Sequence, residues 1–156
     1  MNIPLIEQVK VQAQVLVPLI KTLRAELGEE RANTLVRKAL GNHFRNLGRE
    51  AWHRYGARSA EDKIEKTWKG FAAADALKYE VLKKTPHAYE LNVTECQYAK
   101  FFRELGEPEL GFLLVCSQDF NFFEGYEGVA LKFTQTIMQG QSHCDFRYRL
   151  ERDKKS

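Results

Sequence analysis

The chain has 156 residues, of which 44% are hydrophobic and 29% are charged, as expected for one globular domain with a sizeable core. Its formal net charge of +3 is small and its basic residues alternate with acidic ones, which excludes the concentrated basic face of a nucleic-acid-binding protein. The pattern also lacks a signal peptide and a long apolar run, and three widely spaced cysteines do not make a disulfide framework. We therefore expect a cytoplasmic protein, a single domain over residues 1–156, with free thiols and no membrane contact.

Residues 1–75 are predicted to be helical. Apolar residues recur at helical spacing over Leu5–Leu16, and Pro18 is expected to interrupt them and to lie in the first turn of a second helix. That helix is expected to end at Gly28, and a third to begin near Glu29. Ser59–Asp62 has the form of a capping box that opens a fourth helix.

Residues 76–150 are predicted to form a β-β-α-α-β-β unit. Apolar and charged residues alternate in Leu77–Val81, and apolar residues recur at every second position in Tyr89–Val93, which indicates a hairpin. Thr94 is expected to cap the helix that follows. Pro108 is expected to begin the next one, which carries the segment "ELGFLLVCSQDF".

Two more strands are predicted at residues 129–137 and at Cys144–Leu150. In the second of these, alternation points Cys144 towards the core, while His143 and Asp145 face the other way. The whole pattern predicts an α+β fold, with N-terminal helices and a four-stranded antiparallel sheet that helices cover. Residues 151–156 are predicted to be a charged tail.

Three long motifs carry a resemblance to a known family. The segments "NVTECQYAKFFRELGEPELGFLLVCSQDF", "GYEG" and "TQTIMQGQSHCDFRY" resemble the L-2-amino-thiazoline-4-carboxylic acid hydrolase family. The resemblance implies a hydrolase that opens a small cyclic isothiourea, 2-amino-thiazoline-4-carboxylate, to a carbamoyl-cysteine. One departure concerns Phe133, because an Arg often stands there in the family, and it favours a less acidic or different substrate.

The resemblance also implies a set of catalytic residues. Its Cys-x-x-Asp element is Cys116 and Asp119, which on a helix lie on one face with Cβ atoms about 5–6 Å apart. Its His-Cys-Asp-Phe element contains His143 and Cys144. Cys116 or Cys144 is the expected nucleophile, Asp119 the acid/base or the anchor of a cationic amidinium, and His143 a proton shuttle.

Five further side chains are candidates for substrate binding. Each also has an ordinary structural interpretation, such as packing, turn formation or a solvated strand face. One of them is a histidine expected on the apolar stripe of the third helix, from which it either packs or points into a cavity. The five residues are His43, Cys96, Gln135, Asp145 and Arg147.

Two alternatives to a cysteine hydrolase stay open. A zinc-bound water ranks lower, because no pair of potential ligands has the close spacing of familiar zinc sites, and we expect no cofactor. The second alternative is a non-catalytic small-molecule-binding module, since the β-β-α-α-β-β order is similar to that of 4-vinyl-reductase-type domains. In either case the expected partner is a small molecule, with homo-oligomerisation as a further expectation.

Overall fold

The computed structural model describes residues 3–151, so the predicted tail lies outside the described residues beyond Glu151. The N-terminal layer contains α1 (Leu5–Leu27), α2 (Glu29–Arg54) and α3 (Ala60–Phe71), and a 3₁₀ turn (Ala73–Asp75) follows them. The remaining elements are β1 (Leu77–Lys84), β2 (Ala88–Cys96), α4 (Gln97–Glu104), α5 (Pro108–Gly111), a π-helical turn (Phe112–Cys116), α6 (Gln118–Glu124), β3 (Val129–Lys132) and β4 (Cys144–Leu150).

The four strands form one antiparallel sheet in the order β1-β2-β4-β3. This confirms the predicted α+β fold with its N-terminal helices and four-stranded antiparallel sheet. In β4, the odd-even alternation puts Cys144, Phe146 and Tyr148 in the core, as predicted. The register of β2 against β4 pairs Val93 with Cys144, so the end of β2 lies beside the start of β4.

The predicted break at Pro18 is wrong, because α1 runs through this residue. Proline inside a helix removes one backbone hydrogen bond at a cost of about 3 kcal/mol. Three residues spaced seven apart, Ile6, Ala13 and Ile20, are nevertheless buried along one stripe of the helix. Packing of this stripe offsets the local cost, and Pro18 itself is exposed.

Two predicted element boundaries are also wrong. Thr94 does not cap α4, because β2 continues to Cys96, whose Sγ accepts a hydrogen bond from the backbone N–H of Ala99 at 3.4 Å. The strand predicted over residues 129–137 ends at Lys132. Beyond it the side chain of Asp145 accepts hydrogen bonds from the backbone, which draws the chain out of the sheet.

The predicted apolar stripe of α2 is only partly correct. Val36 is buried as expected, but Leu47 and His43 are exposed. The buried side of the helix instead contains small residues, among them Gly41 and Gly48, which a pattern of large apolar residues does not reveal. Ser59 does cap α3 as predicted, since its Oγ accepts from the N–H of Asp62 at 3.2 Å.

The interior consists of two apolar clusters that meet at the sheet. The first packs α1 against α4, α5 and the π-helical turn, and the second packs α3 and α6 against the sheet. Leu77, Cys96 and Ile137 border both clusters. Among residues 3–151, no helix combines the length and the apolar character needed to span a lipid bilayer.

Helices α2 and α6 approach each other closely at Gly48. A Cβ atom at this position would lie 1.8 Å from the carbonyl oxygen of Phe122. We expect Gly48→Ala to lower the free energy of unfolding by about 3 kcal/mol or more, because backbone must move to accept the methyl group. Urea unfolding would measure this loss as a shift in the midpoint.

Gly70→Ala is the matched control. Gly70 lies inside α3, and a Cβ atom there would meet nothing within 4 Å. The control is expected to raise the free energy of unfolding by about 0.5–1 kcal/mol, because alanine favours the helix and restricts the unfolded chain. Equal midpoints for the two variants would contradict the close contact.

Candidate functional site

The structure brings together one carboxyl group and three thiols from four different elements. Cys96 ends β2, Cys116 ends the π-helical turn, Asp119 lies in the first turn of α6, and Cys144 begins β4. The groups are close enough for the charge of Asp119 to raise the pKa of each thiol. All three thiols therefore lie within electrostatic range of Asp119.

A π-helical turn positions this group. The N–H of Ser117 donates to the carbonyl of Phe112 at 2.8 Å, an i→i+5 bond that characterises such turns. Gln118 is buried, and its side-chain amide donates to the carbonyl of Leu113 at 3.1 Å. Single π turns inside helices occur frequently at functional sites, and this one ends at Cys116.

Polar side chains connect this turn to α2. Asn121 donates to the side-chain carbonyl of Gln118 at 3.0 Å, and Arg45 donates to Asn121 at 3.2 Å. Arg45 also pairs with Glu124 at 2.6 Å. These contacts fix the start of α6 and therefore the backbone that carries Asp119.

Asp119 is the most unusual ionisable group of the described chain. Its side chain has no hydrogen-bond partner among residues 3–151, and burial alone raises its pKa to about 8. The residue still retains some solvent-accessible surface. Because desolvation disfavours the charged form, this carboxyl is mostly a neutral acid at neutral pH.

The three thiols are also held in their neutral form. Burial, followed by the charge of Asp119, raises the pKa of Cys116 well above its ordinary value. Burial raises the pKa of Cys144 to about 12, although its Sγ accepts from the N–H of Ile137 at 3.2 Å. Burial also raises the pKa of Cys96, but backbone N–H groups and Arg103 oppose this effect. No Lys or His lowers the pKa of any of the three thiols in the described structure.

The structure places His143 with Gln135 rather than with the four-group cluster. The side-chain amide of Gln135 lies 3.1 Å from Nδ1 of His143 and also donates to its backbone carbonyl at 3.1 Å. Ser142 contacts the same ring nitrogen at 2.9 Å. Within residues 3–151, no hydrogen bond joins His143 to Asp119 or to a thiol, so the proton-shuttle role has no direct path here.

Three other predicted binding residues face away from the cluster or have structural partners. His43 is exposed on α2, where its ring contacts Phe44. Asp145 caps the loop after β3 by accepting the backbone N–H groups of residues 134 and 135 at 2.8 and 3.0 Å. Arg147, on the opposite face of β4 from Cys144, donates to the carbonyl of Leu91 at 2.9 Å.

Phe133, at which the family resemblance implied an Arg, forms an aromatic stack. Its ring lies parallel to that of Phe120, with centroids 4.2 Å apart, and also contacts Phe146 at 5.0 Å. Phe120 is the direct neighbour of Asp119, and 38% of its surface is exposed. An apolar ring pair therefore lies beside the residue that carries the buried carboxyl.

Arg103 is a residue that the sequence analysis missed. It donates to the carbonyl of Ile137, whose N–H group donates to Cys144, and it opposes the raised pKa of Cys96. A signal was present in the sequence, because Arg103 follows Cys96 by two helical turns and such residues lie on one side of a helix. It did not stand out among the many charges of the chain.

Metal ligation gains no support from the arrangement. Across the part of the chain that the structure describes, no group of three or more His, Cys, Asp or Glu side chains is placed to hold a metal ion. Among these residues we therefore find no set of ligands that would hold the zinc ion of the zinc-bound-water alternative.

The sequence matches the L-2-amino-thiazoline-4-carboxylic acid hydrolase family over residues 8–148, and no curated protein matches it significantly. The phenol-responsive sensory domain of the transcription activator PoxR, solved with phenol, is 16% identical, with a TM-score of 0.50 over 86% of this chain and 72% of that chain. This likeness shows a shared fold. A trafficking protein particle complex subunit 3 from Naegleria fowleri, covalently bound to palmitic acid, is 15% identical, with a TM-score of 0.49 over 92% of this chain and 97% of that chain.

Asp119→Asn is expected to stabilise the protein at alkaline pH. The native carboxyl has a pKa of about 8 against an ordinary value of 3.8, so the native state binds more protons than the unfolded state between these values. Stability therefore falls as pH rises from about 4 to 8, and the amide removes this loss. The pKa difference of about 4 corresponds to a gain on the order of 5 kcal/mol at pH 9.

Urea unfolding of both proteins at pH 4.5 and pH 9 measures this effect. The gain should fall to about 1 kcal/mol at pH 4.5, where the carboxyl is protonated in the native state but about 80% ionised in the unfolded chain. Glu50→Gln, which removes an exposed carboxylate on α2, is the control and should show no such pH dependence. A variant less stable than the native protein at pH 9 would show that Asp119 is not a desolvated acid.

Proposed function

The chain belongs to the L-2-amino-thiazoline-4-carboxylic acid hydrolase family, and we propose that it hydrolyses a small cyclic amidine- or isothiourea-like heterocycle at Asp119. Family membership supports a hydrolase-like protein. The observation that carries the proposal is the unpaired, desolvated carboxyl of Asp119, whose pKa of about 8 suits proton transfer near neutral pH.

Asp119 is the proposed proton donor. In a 2-amino-thiazoline ring, a water molecule adds to the carbon between nitrogen and sulfur, and the carbon–sulfur bond then breaks. The sulfur leaves with the electron pair and takes a proton, which gives a carbamoyl group and a free thiol. A thiol has a pKa of about 8.5, so an acid with a pKa of about 8 is well matched to this leaving group.

The raised thiol pKa values favour water over a cysteine as the nucleophile. A thiolate is the reactive form of cysteine, and burial and Asp119 together disfavour it at Cys116. Burial also keeps the thiol of Cys144 protonated, and its sulfur already accepts a hydrogen bond from the backbone N–H of Ile137. Attack by either thiol remains the rival route, and it predicts a covalent intermediate on the protein.

A non-catalytic small-molecule-binding module is the second candidate. The fold is shared with a sensory domain that was solved with phenol, and unreactive thiols are what such a module requires. The stacked rings of Phe120 and Phe133 beside Asp119 suit an aromatic ligand with a polar group. This candidate predicts that phenols raise the melting temperature in a Phe133-dependent manner, without turnover of any heterocycle.

Turnover of cyclic isothioureas, amidines and lactams tests the hydrolase proposal. We expect Asp119→Asn to lower kcat/KM about 100-fold or more, which is the usual contribution of an acid–base group. In the native enzyme kcat/KM should fall as pH rises through about 8, because the carboxyl then loses the proton that it donates. The pH profile of Glu50→Gln, an exposed carboxylate removed from α2, should match that of the native enzyme.

Serine variants of Cys116 and Cys144 distinguish the two nucleophiles. If water attacks, each variant keeps turnover within about tenfold of the native rate. If a thiol attacks, one variant loses turnover, and mass spectrometry of the native protein with substrate detects an adduct on that cysteine. Native turnover by Asp119→Asn across the pH range would contradict the proposed proton donor.

A further inference from the structure

A pocket of about 450 Å³ opens at the start of α4, and one of the three thiols lies on its wall. Cys96, Arg103 and Ile137 are among its lining residues. This volume lies within the usual range for small-molecule sites. Of the three cysteines, only Cys96 lines this pocket.

The charges around the pocket favour an anion. Lys100 and Arg103 contribute two cations to its lining. Of the two carboxylates there, Glu95 already pairs with Lys78 at 3.3 Å, whereas Glu104 has no ion pair within residues 3–151. Counted with Lys78, three cations and two carboxylates surround the pocket, and the local balance is positive by one charge.

Arg103 is held in place at the edge of this pocket. One nitrogen of its guanidinium donates to the carbonyl of Ile137, which fixes the group between α4 and the loop before β4. Its remaining N–H groups have no acceptor among the described residues. A guanidinium with free donors in a fork suits the two oxygens of a carboxylate.

We propose that this pocket binds small carboxylates, which Arg103 and Lys100 hold beside the thiol of Cys96. Asp119 is not among the residues that line this pocket, but its charge acts on Cys96, so a molecule held beside Cys96 lies within electrostatic range of the proposed proton donor. As a substrate subsite the inference deepens the proposed function and rests on it. The preference for carboxylates itself is measurable without turnover.

Alkylation of Cys96 by two reagents of equal reach tests the proposal. Iodoacetate and iodoacetamide both form a sulfur–carbon bond with loss of iodide, while the thiol proton goes to solvent, but only iodoacetate carries a carboxylate. Peptide mass spectrometry gives the rate at each cysteine, and N-acetylcysteine gives the reference ratio of the two rates. At Cys96 the iodoacetate-to-iodoacetamide ratio should exceed the reference about fivefold or more, the effect of one nearby charge.

Three variants assign the effect to the pocket. Arg103→Gln should lower the ratio about fivefold, whereas Arg103→Lys keeps the charge and most of the ratio. Lys38→Gln removes an exposed cation on α2 and should leave the ratio unchanged. The melting temperature of each variant shows that it is folded.

Three outcomes would overturn the inference, and a fourth separates it from the proposed function. The pocket would not select carboxylates if the iodoacetate-to-iodoacetamide ratio at Cys96 equalled that of N-acetylcysteine. The same conclusion would follow if Arg103→Gln left a raised ratio unchanged. Failure of both reagents to label Cys96 would show that its thiol is not reachable from the pocket. Suppose that the iodoacetate-to-iodoacetamide ratio at Cys96 is raised as expected, but Asp119→Asn turns over substrate at the native rate. The pocket would then still select carboxylates, whereas Asp119 would not be the proton donor.

Discussion

The π-helical turn Phe112–Cys116 is the constraint on which both the packing and the candidate site depend. The π-helical turn contains one residue more than an α-helical turn. The side chains that follow it are therefore rotated by about 100° about the helix axis, relative to their positions in a continuous α-helix. Leu110 before the turn and Leu113 within it pack in the cluster formed with α1, and after the turn Phe123 packs in the cluster formed with the sheet. The helical stretch thus crosses from one cluster to the other, and Asp119 lies at the crossing.

That position explains why Asp119 is both buried and unpaired. The polar network of Gln118, Asn121 and Arg45 satisfies the carbonyl of Leu113 in the turn and directs Arg45 towards Glu124. Among residues 3–151 no cation pairs with the carboxyl of Asp119, and burial keeps it mostly protonated at neutral pH. A fold that keeps an ionisable group in this condition gives up stability, as catalytic and ligand-binding sites commonly do.

The alternation of buried and exposed residues in strands, and the side-chain caps of helices, could be predicted from the sequence. The alternation in β4 and the cap at Ser59 depend on neighbours in the chain, and both are confirmed. The path of α1 through Pro18 depends on packing against distant elements, which local propensity does not contain. The early end of β3 has a similar cause, because the competing acceptor is Asp145 on another strand.

The candidate site shows the same division. Family motifs and spacing indicated Cys116, Asp119 and Cys144, which the structure brings together. Their protonation could not be predicted in the same way, because it depends on burial and on the absence of a cation among the described neighbours. The contact of Arg103 with Ile137 depends on a loop that the sequence pattern had assigned to a strand.

That loop, residues 133–143, connects the different parts of the region. Phe133 stacks on Phe120 of α6, and Ile137 accepts from Arg103 while it donates to Cys144. One segment therefore contacts the apolar ring pair, the cationic pocket and a thiol. Since loops vary more readily than the elements they connect, we expect a substitution at Phe133 to alter the ring pair while α6 keeps the carboxyl of Asp119 in place.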